Sequence, residues 1–100
     1  MQKPFAEIPI REESANAELV SVLNAQYGLV VWNDNVNTFD WVIKSLVEIC
    51  GHNNEQAEQC ALLIHHQGKY AVKKGDFEFL KPQCDAIRER NIGATIEKIS

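Results

Sequence analysis

Residues 29 to 43 read Leu-Val-Val-Trp-Asn-Asp-Asn-Val-Asn-Thr-Phe-Asp-Trp-Val-Ile. The apolar run Leu29 to Trp32 stops at three short polar side chains, Asn33, Asp34 and Asn35, and a helix-like pattern begins near Thr38. The stretch therefore predicts a strand, an acceptor-rich loop and a helix. Asn and Asp hydrogen-bond their own backbone, so this loop can simply turn the chain. Its oxygens can also hold a positively charged group. The rest of the sequence has to decide between the two.

Tyr27 to Trp32 is short, continuous and rich in aromatic and β-branched residues, which suits a strand buried on both faces. Thr38 is placed to cap the helix that follows, and Asp40 falls in its first turn, where the helix dipole favours an acid. Phe39, Val42, Ile43, Leu46, Val47 and Cys50 recur at helical spacing, and Gly51 is a natural stop. Trp41 falls off that stripe and is expected to pack on a second surface. His52-Asn53-Asn54 makes a turn, with Asn54 as the expected cap of a second helix. The inner stripe of that helix is Ala57, Cys60, Ala61, Ile64 and His65, and Gly68 closes it.

Tyr70 to Val72 predicts a second strand, and Lys73-Lys74-Gly75-Asp76 a solvated turn. Proline breaks a helix interior but suits a first turn. A short turn at 76–80 is therefore expected, with the third helix starting at Pro82 and turning Cys84 and Ile87 to the core. Asn91-Ile92-Gly93 ends that helix, and residues 94–99 form a last strand. The order strand, helix, helix, strand, helix, strand is that of a small α+β domain, a three-stranded antiparallel sheet packed by helices.

One hundred residues is one small domain. Residues 1–25 differ from the rest, with Pro4, Pro9 and the run Arg11-Glu12-Glu13-Ser14. They are expected to form a flexible N-terminal arm, leaving residues 26–100 as the core domain. The net charge of -4 argues against nucleic acid, which selects basic faces. No apolar run approaches the roughly 18 residues of a membrane helix. No basic segment followed by an apolar stretch opens the chain, so a cytoplasmic location is expected. Cys50, Cys60 and Cys84 are odd in number and widely spaced, which does not suit a disulfide framework. Cys50 and Cys60 fall on apolar faces, where free cysteine acts as a small hydrophobe.

The sequence offers binding chemistry more readily than reaction chemistry. His65 and His66 are adjacent and point apart on a helix, and neither His-x-x-x-His nor Cys-x-x-Cys occurs, so no metal is expected. No nucleophile sits beside an evident base, and no glycine-rich phosphate loop is present, so neither an enzyme nor a cofactor is expected. His65 lies on or beside the buried stripe, where a partly buried imidazole serves either as a satisfied core residue or as a ligand-binding group. An ammonium group donates three hydrogen bonds and accepts none. A carboxylate, an amide oxygen and a neutral imidazole nitrogen converging on one point suit it. Asn33, Asp34 and His65 supply these groups, and Phe39, Val42, Leu46 and Ile64 supply an apolar pocket beside them. The N-terminal residue of a peptide is a ligand of this kind.

Asn33-Asp34, then Phe39-Asp40-Trp41-Val42-Ile43, then Leu63-Ile64-His65-His66-Gln67-Gly68-Lys69 resemble the ClpS adaptor family in order and spacing. Ala94-Thr95-Ile96-Glu97-Lys98 resembles the closing strand of that family, and the resemblance spans residues 27–100. It implies an adaptor that binds N-end-rule substrates by an N-terminal Leu, Phe, Tyr or Trp. Such an adaptor delivers them to a ClpA- or ClpC-type AAA+ unfoldase that feeds the ClpP peptidase, and performs no reaction itself. It further implies that Asn33, Asp34 and His65 grip the α-amino group. Phe39, Val42, Leu46, Ala61 and Ile64 line or gate the pocket, with Asn35, Asn37 and Thr38 nearby. The arm is implied to engage the unfoldase.

The chain departs from the family pattern at four of these places. Asn37-Thr38 stands where Thr-Pro is frequent, Asn35 where a third acid is common, Phe39 where Met is usual, and Ala61 where a larger apolar residue is expected. These leave the preference among the four N-terminal residues open. Trp32 and Trp41 flank the loop and are candidate fluorescence reporters. A structural interaction domain without such a pocket is the alternative. The C-terminal domain of the ribosomal stalk protein has a similar helix-and-strand fold, so fold alone does not separate the two.

Overall fold

The unbroken apolar run belongs to the central strand of the sheet. In the computed structural model, which describes residues 26–99, β1 (Tyr27–Trp32) lies between β2 (Lys69–Gly75) and β3 (Ala94–Lys98), antiparallel to both. Gly28 to Val31 are buried. The arm expected over residues 1–25 lies outside the described residues. Three helices join the strands: α1 (Phe39–Cys50), α2 (Asn54–Gln67) and α3 (Phe77–Glu89). The order and the antiparallel sheet are those the sequence predicts.

Each helix begins on a side-chain cap. Thr38 accepts the backbone N–H of Trp41 at 3.1 Å, as expected. The cap of α2 is Asn53, one residue before the expected Asn54. The reason is Gln56, which stands three residues after Asn53. Asn53 accepts from Gln56 N at 2.7 Å, and Gln56 Oε1 accepts from Asn53 N at 3.1 Å. That reciprocal pair satisfies two otherwise unpaired donors. Gly51 and Gly68 end α1 and α2 at positive φ, 75° and 89°, where a side chain would be strained.

The third helix starts five residues earlier than Pro82. Asp76 caps it by accepting Phe79 N at 2.8 Å. The core stripe Leu80, Cys84 and Ile87 then runs straight through the proline. The missing N–H of Pro82 falls opposite the carbonyl of Glu78, and both residues are exposed, so water can satisfy that carbonyl. A cap and a continuous apolar stripe outweigh one lost bond near a helix start.

The expected turn at Lys73-Lys74 is strand. Lys73 and Lys74 pair with Leu29 and Gly28, and the pairing skips Val72, a bulge that leaves Val72 buried in the core. Lys74 is exposed, but Lys73 is half-buried. Its Nζ donates to Cys50 O at 2.7 Å and lies 5.6 Å from the centre of the Phe79 ring. Val72 O in turn accepts from His52 Nε2 at 2.9 Å, so the imidazole carries its proton there.

The core joins all six elements through Leu29, Val31, Leu46, Ala57, Ile64, Val72, Leu80, Ile87 and Ala94, with Cys50, Cys60 and Cys84 among them. Burial pushes the Cys50 thiol up to about 11 and raises the thiols of Cys60 and Cys84 as well. Protonated thiols are poor nucleophiles. Leu46 is 1% exposed and belongs to this core, not to the pocket lining expected for it.

Candidate functional site

The end of β1 brings together two segments far apart in sequence. Trp32 N donates to Gly93 O at 2.9 Å, and Asn33 N donates to Gly68 O at 2.9 Å. Gly68 is the residue that ends α2, three positions after His65. Because α2 runs directly into β2, and β2 pairs Lys69 with Trp32, the last turn of α2 must lie beside the loop that follows β1. The sheet register thus fixes the distance between the acceptor-rich loop and His65.

Between them lies a cavity of about 300 Å³ lined by Asn33, Asp34, Asn35, Asn37, Phe39, Val42, Ala61, Ile64 and His65. Its polar residues come from the loop and the end of α2. Its apolar residues come from the start of α1 and the inner stripe of α2. Ala61 and Ile64 are each 3% exposed, whereas Phe39 is 43% exposed at the first position of α1. Of the residues expected near the site, Leu46 is in the core. Thr38 is spent on capping α1 and does not line the cavity.

His65 is exposed, not part of the buried stripe of α2. Ile64 takes the inward position, and the next residue lies about 100° round the helix, at the edge of the stripe. That edge is the cavity wall. The His65 ring meets His66 edge-on, with centres 5.5 Å apart. Trp32 and Trp41 do not line the cavity. Trp32 Nε1 donates to Thr95 Oγ1 at 3.0 Å, and Trp41 Nε1 donates to Arg90 O at 3.2 Å. They are therefore indirect reporters of its contents.

Asp34 is the most heavily bonded group of the loop. Oδ1 accepts from the backbone N–H of Val36 at 2.8 Å and of Asn37 at 2.7 Å, and Oδ2 accepts from Asn37 Nδ2 at 2.7 Å. These bonds hold its carboxyl below the usual aspartate value. The backbone N–H of Asn37 is the largest cause and the Asn37 side chain the next. Asp34 is thus an anion at neutral pH. Its Oδ2 carries one bond in this network and keeps acceptor capacity. Beside it, a site built from carboxylate, amide oxygen, imidazole and aliphatic wall can receive a cationic head on an apolar body.

One participant was not visible in the sequence. Asn37 Nδ2 also donates to Asn91 O at 2.8 Å, so the turn after α3 reaches the loop. The sequence marks Asn91 only as a helix stop. Its φ of 66° is the left-handed conformation that asparagine tolerates. Among the described residues, no group of three or more His, Cys, Asp or Glu side chains is placed to hold a metal ion. No helix among them is long and apolar enough to cross a membrane.

Comparison with known proteins shows the family and the fold. The ClpS family, described as ATP-dependent Clp protease adaptor protein ClpS, matches residues 23–96. The ATP-dependent Clp protease adapter protein ClpS of Corynebacterium aurimucosum is 22% identical over 98 residues, which is 98% of this chain and 87% of that protein. The one from Mycobacterium leprae is 24% identical over 79 residues, 79% of this chain and 73% of that protein. Agrobacterium tumefaciens ClpS2 bound to L-phenylalaninamide has a similar fold. Its TM-score is 0.65 at 16% identity, covering 75% of this chain and 98% of that one.

Proposed function

Because the chain belongs to the ClpS family of ATP-dependent Clp protease adaptors, we propose that its cavity receives the N-terminal residue of a substrate peptide. The observation that carries this reading is that Asn33, Asp34 and His65 line one cavity together with the apolar side chains of Phe39, Val42, Ala61 and Ile64. The α-ammonium meets the Asp34 carboxylate, the Asn33 amide oxygen and the His65 imidazole. The first side chain enters between Phe39, Val42, Ala61 and Ile64. Asn35 and Asn37 complete the polar lining.

The L-phenylalaninamide bound to Agrobacterium tumefaciens ClpS2 is of the same ligand class, a free α-amine beside an aromatic side chain. Burial of a bulky apolar side chain contributes about 1.5–3 kcal/mol for a residue of this size. The ammonium contacts supply the requirement for a free N-terminus. Nothing in this scheme requires a bond to be broken, so the chain acts as an adaptor without catalysis. Its partners are N-degron peptides with Leu, Phe, Tyr or Trp first, and a ClpA- or ClpC-type unfoldase in the cytoplasm. Residues 1–25 act in delivery.

Calorimetric titration with peptides beginning Leu, Phe, Tyr, Trp and Ala tests the reading. Binding of the four bulky residues with Ala far weaker is expected. Equal affinity for all five would remove the apolar cavity from the account. Deleting residues 1–25 is expected to preserve peptide binding and impair degradation by the unfoldase–peptidase complex.

A further inference from the structure

The loop that carries Asp34 has little apolar anchorage of its own. Val36, within it, is 85% exposed. Hydrogen bonds must therefore hold the carboxylate in one place. The bond from Asn37 to Asn91 links positions 54 residues apart. The Nδ2 of Asn37 spends its hydrogens on Asp34 Oδ2 and Asn91 O, both of which only accept. The orientation of the amide is thereby fixed.

The carbonyl just before Asn91 makes a parallel contact. Arg90 O accepts from Trp41 Nε1 at 3.2 Å. The Arg90 guanidinium lies over the Trp41 ring at 5.3 Å and pairs with Glu48 Oε1 at 2.8 Å. Two successive carbonyls of the turn between α3 and β3 thus receive side chains from the loop and from the first turn of α1. The left-handed backbone of Asn91 lies within that turn.

We propose that Asn37 and Asn91 are positioning residues for ligand recognition. The left-handed turn at Asn91 presents a carbonyl that fixes Asn37, and Asn37 fixes the Asp34 carboxylate in the orientation that the ligand's ammonium meets. Neither residue needs to touch the ammonium to set its affinity. Without the bridge, Asp34 keeps its charge and the two backbone bonds to Oδ1, but Oδ2 and the loop lose their tie to the distant turn, and the ligand must select one arrangement. The inference rests on the function proposed above.

The test is calorimetry of the full chain with a Phe-initiated peptide and its N-acetylated form, for wild type, Asn37→Ala, Asn91→Ala and Asn91→Gly. Circular dichroism establishes that each variant is folded, and NMR follows the titration of the Asp34 carboxyl. Asn37→Ala is expected to weaken free-peptide binding about tenfold, the scale of one hydrogen bond to a charged group. Asn91→Ala strains the left-handed backbone and is expected to weaken binding less. Asn91→Gly, which keeps that backbone, is expected to recover much of the loss. In Asn37→Ala and Asn91→Ala the Asp34 carboxyl should titrate at higher pH than in wild type. Unchanged affinity in Asn37→Ala, or weaker affinity with an unmoved Asp34 titration, would overturn the proposal. Equal binding of free and acetylated peptide by the wild type would instead overturn the functional reading beneath it.

Discussion

Asp34 and Asn37 are joined twice: Asp34 Oδ1 accepts the backbone N–H of Asn37 at 2.7 Å, and Oδ2 accepts its Nδ2 at 2.7 Å. One carboxylate therefore both folds the loop and faces the cavity. The choice posed by the sequence, a turn or a holder of positive charge, is not exclusive. The turn orients the charge, and the charge strengthens the turn's hydrogen bonds.

A pH-dependent stability difference follows. The Asp34 carboxyl sits below its ordinary value of 3.8 in the folded chain, chiefly because of Asn37. Its stabilising contribution is complete above the unfolded value and is lost as pH falls through the lowered folded value. Asp34→Asn should therefore be less stable than wild type at pH 7, with a gap that closes as pH falls below 3.8. Denaturant melts at pH 7, 4 and 3 measure this, and a gap that is constant with pH would contradict it.

The same residue is expected to govern affinity. Asp34→Ala should weaken binding of a free Phe-initiated peptide by more than about 2 kcal/mol, because a partly buried ammonium loses its charged partner. Unchanged affinity by calorimetry would remove Asp34 from the site.

In the proposed function, Ala61 sets the room available to the ligand. It is 3% exposed and lines the cavity. Ala61→Met fills space there with a flexible apolar chain. Affinity for a Trp-initiated peptide should fall about tenfold relative to a Leu-initiated one, the discrimination that a small change of pocket volume typically gives. An unaltered Trp-to-Leu ratio would show that the side chain does not pass Ala61.

Leu46 separates core from pocket. At 1% exposed it lies in the core, outside the cavity lining. Leu46→Ala should cost about 2–5 kcal/mol of stability. The affinity of the folded chain should stay near that of wild type. A selective loss of affinity without destabilisation would return Leu46 to the site.

The order of elements could be read from periodicity and glycine stops, because Phe39 to Cys50 and Ala57 to Ile64 keep a helical stripe and Gly51 and Gly68 end it. The start of α3 could not be read from Pro82 alone. The cap at Asp76 and the stripe from Leu80 to Ile87 carry the stronger signal. Lys73 was hidden because its long chain lies half-buried under its own charge, which composition cannot show. The residue types at Asn33 and Asp34 in the loop and at His65 on α2 suggested a place for a cation, and all three line one cavity. The bridge from Asn37 to Asn91 did not announce itself, since it depends on where a distant turn directs one backbone carbonyl.

The most direct measurement is calorimetric titration of the full chain with one Phe-initiated peptide, free and N-acetylated. Acetylation removes the positive charge and two of the three donors while leaving the side chain intact. The account predicts that the free peptide binds at least tenfold more tightly, on the scale of a hydrogen bond to a charged group. Equal affinities would contradict it, because the cavity would then be recognising apolar bulk alone.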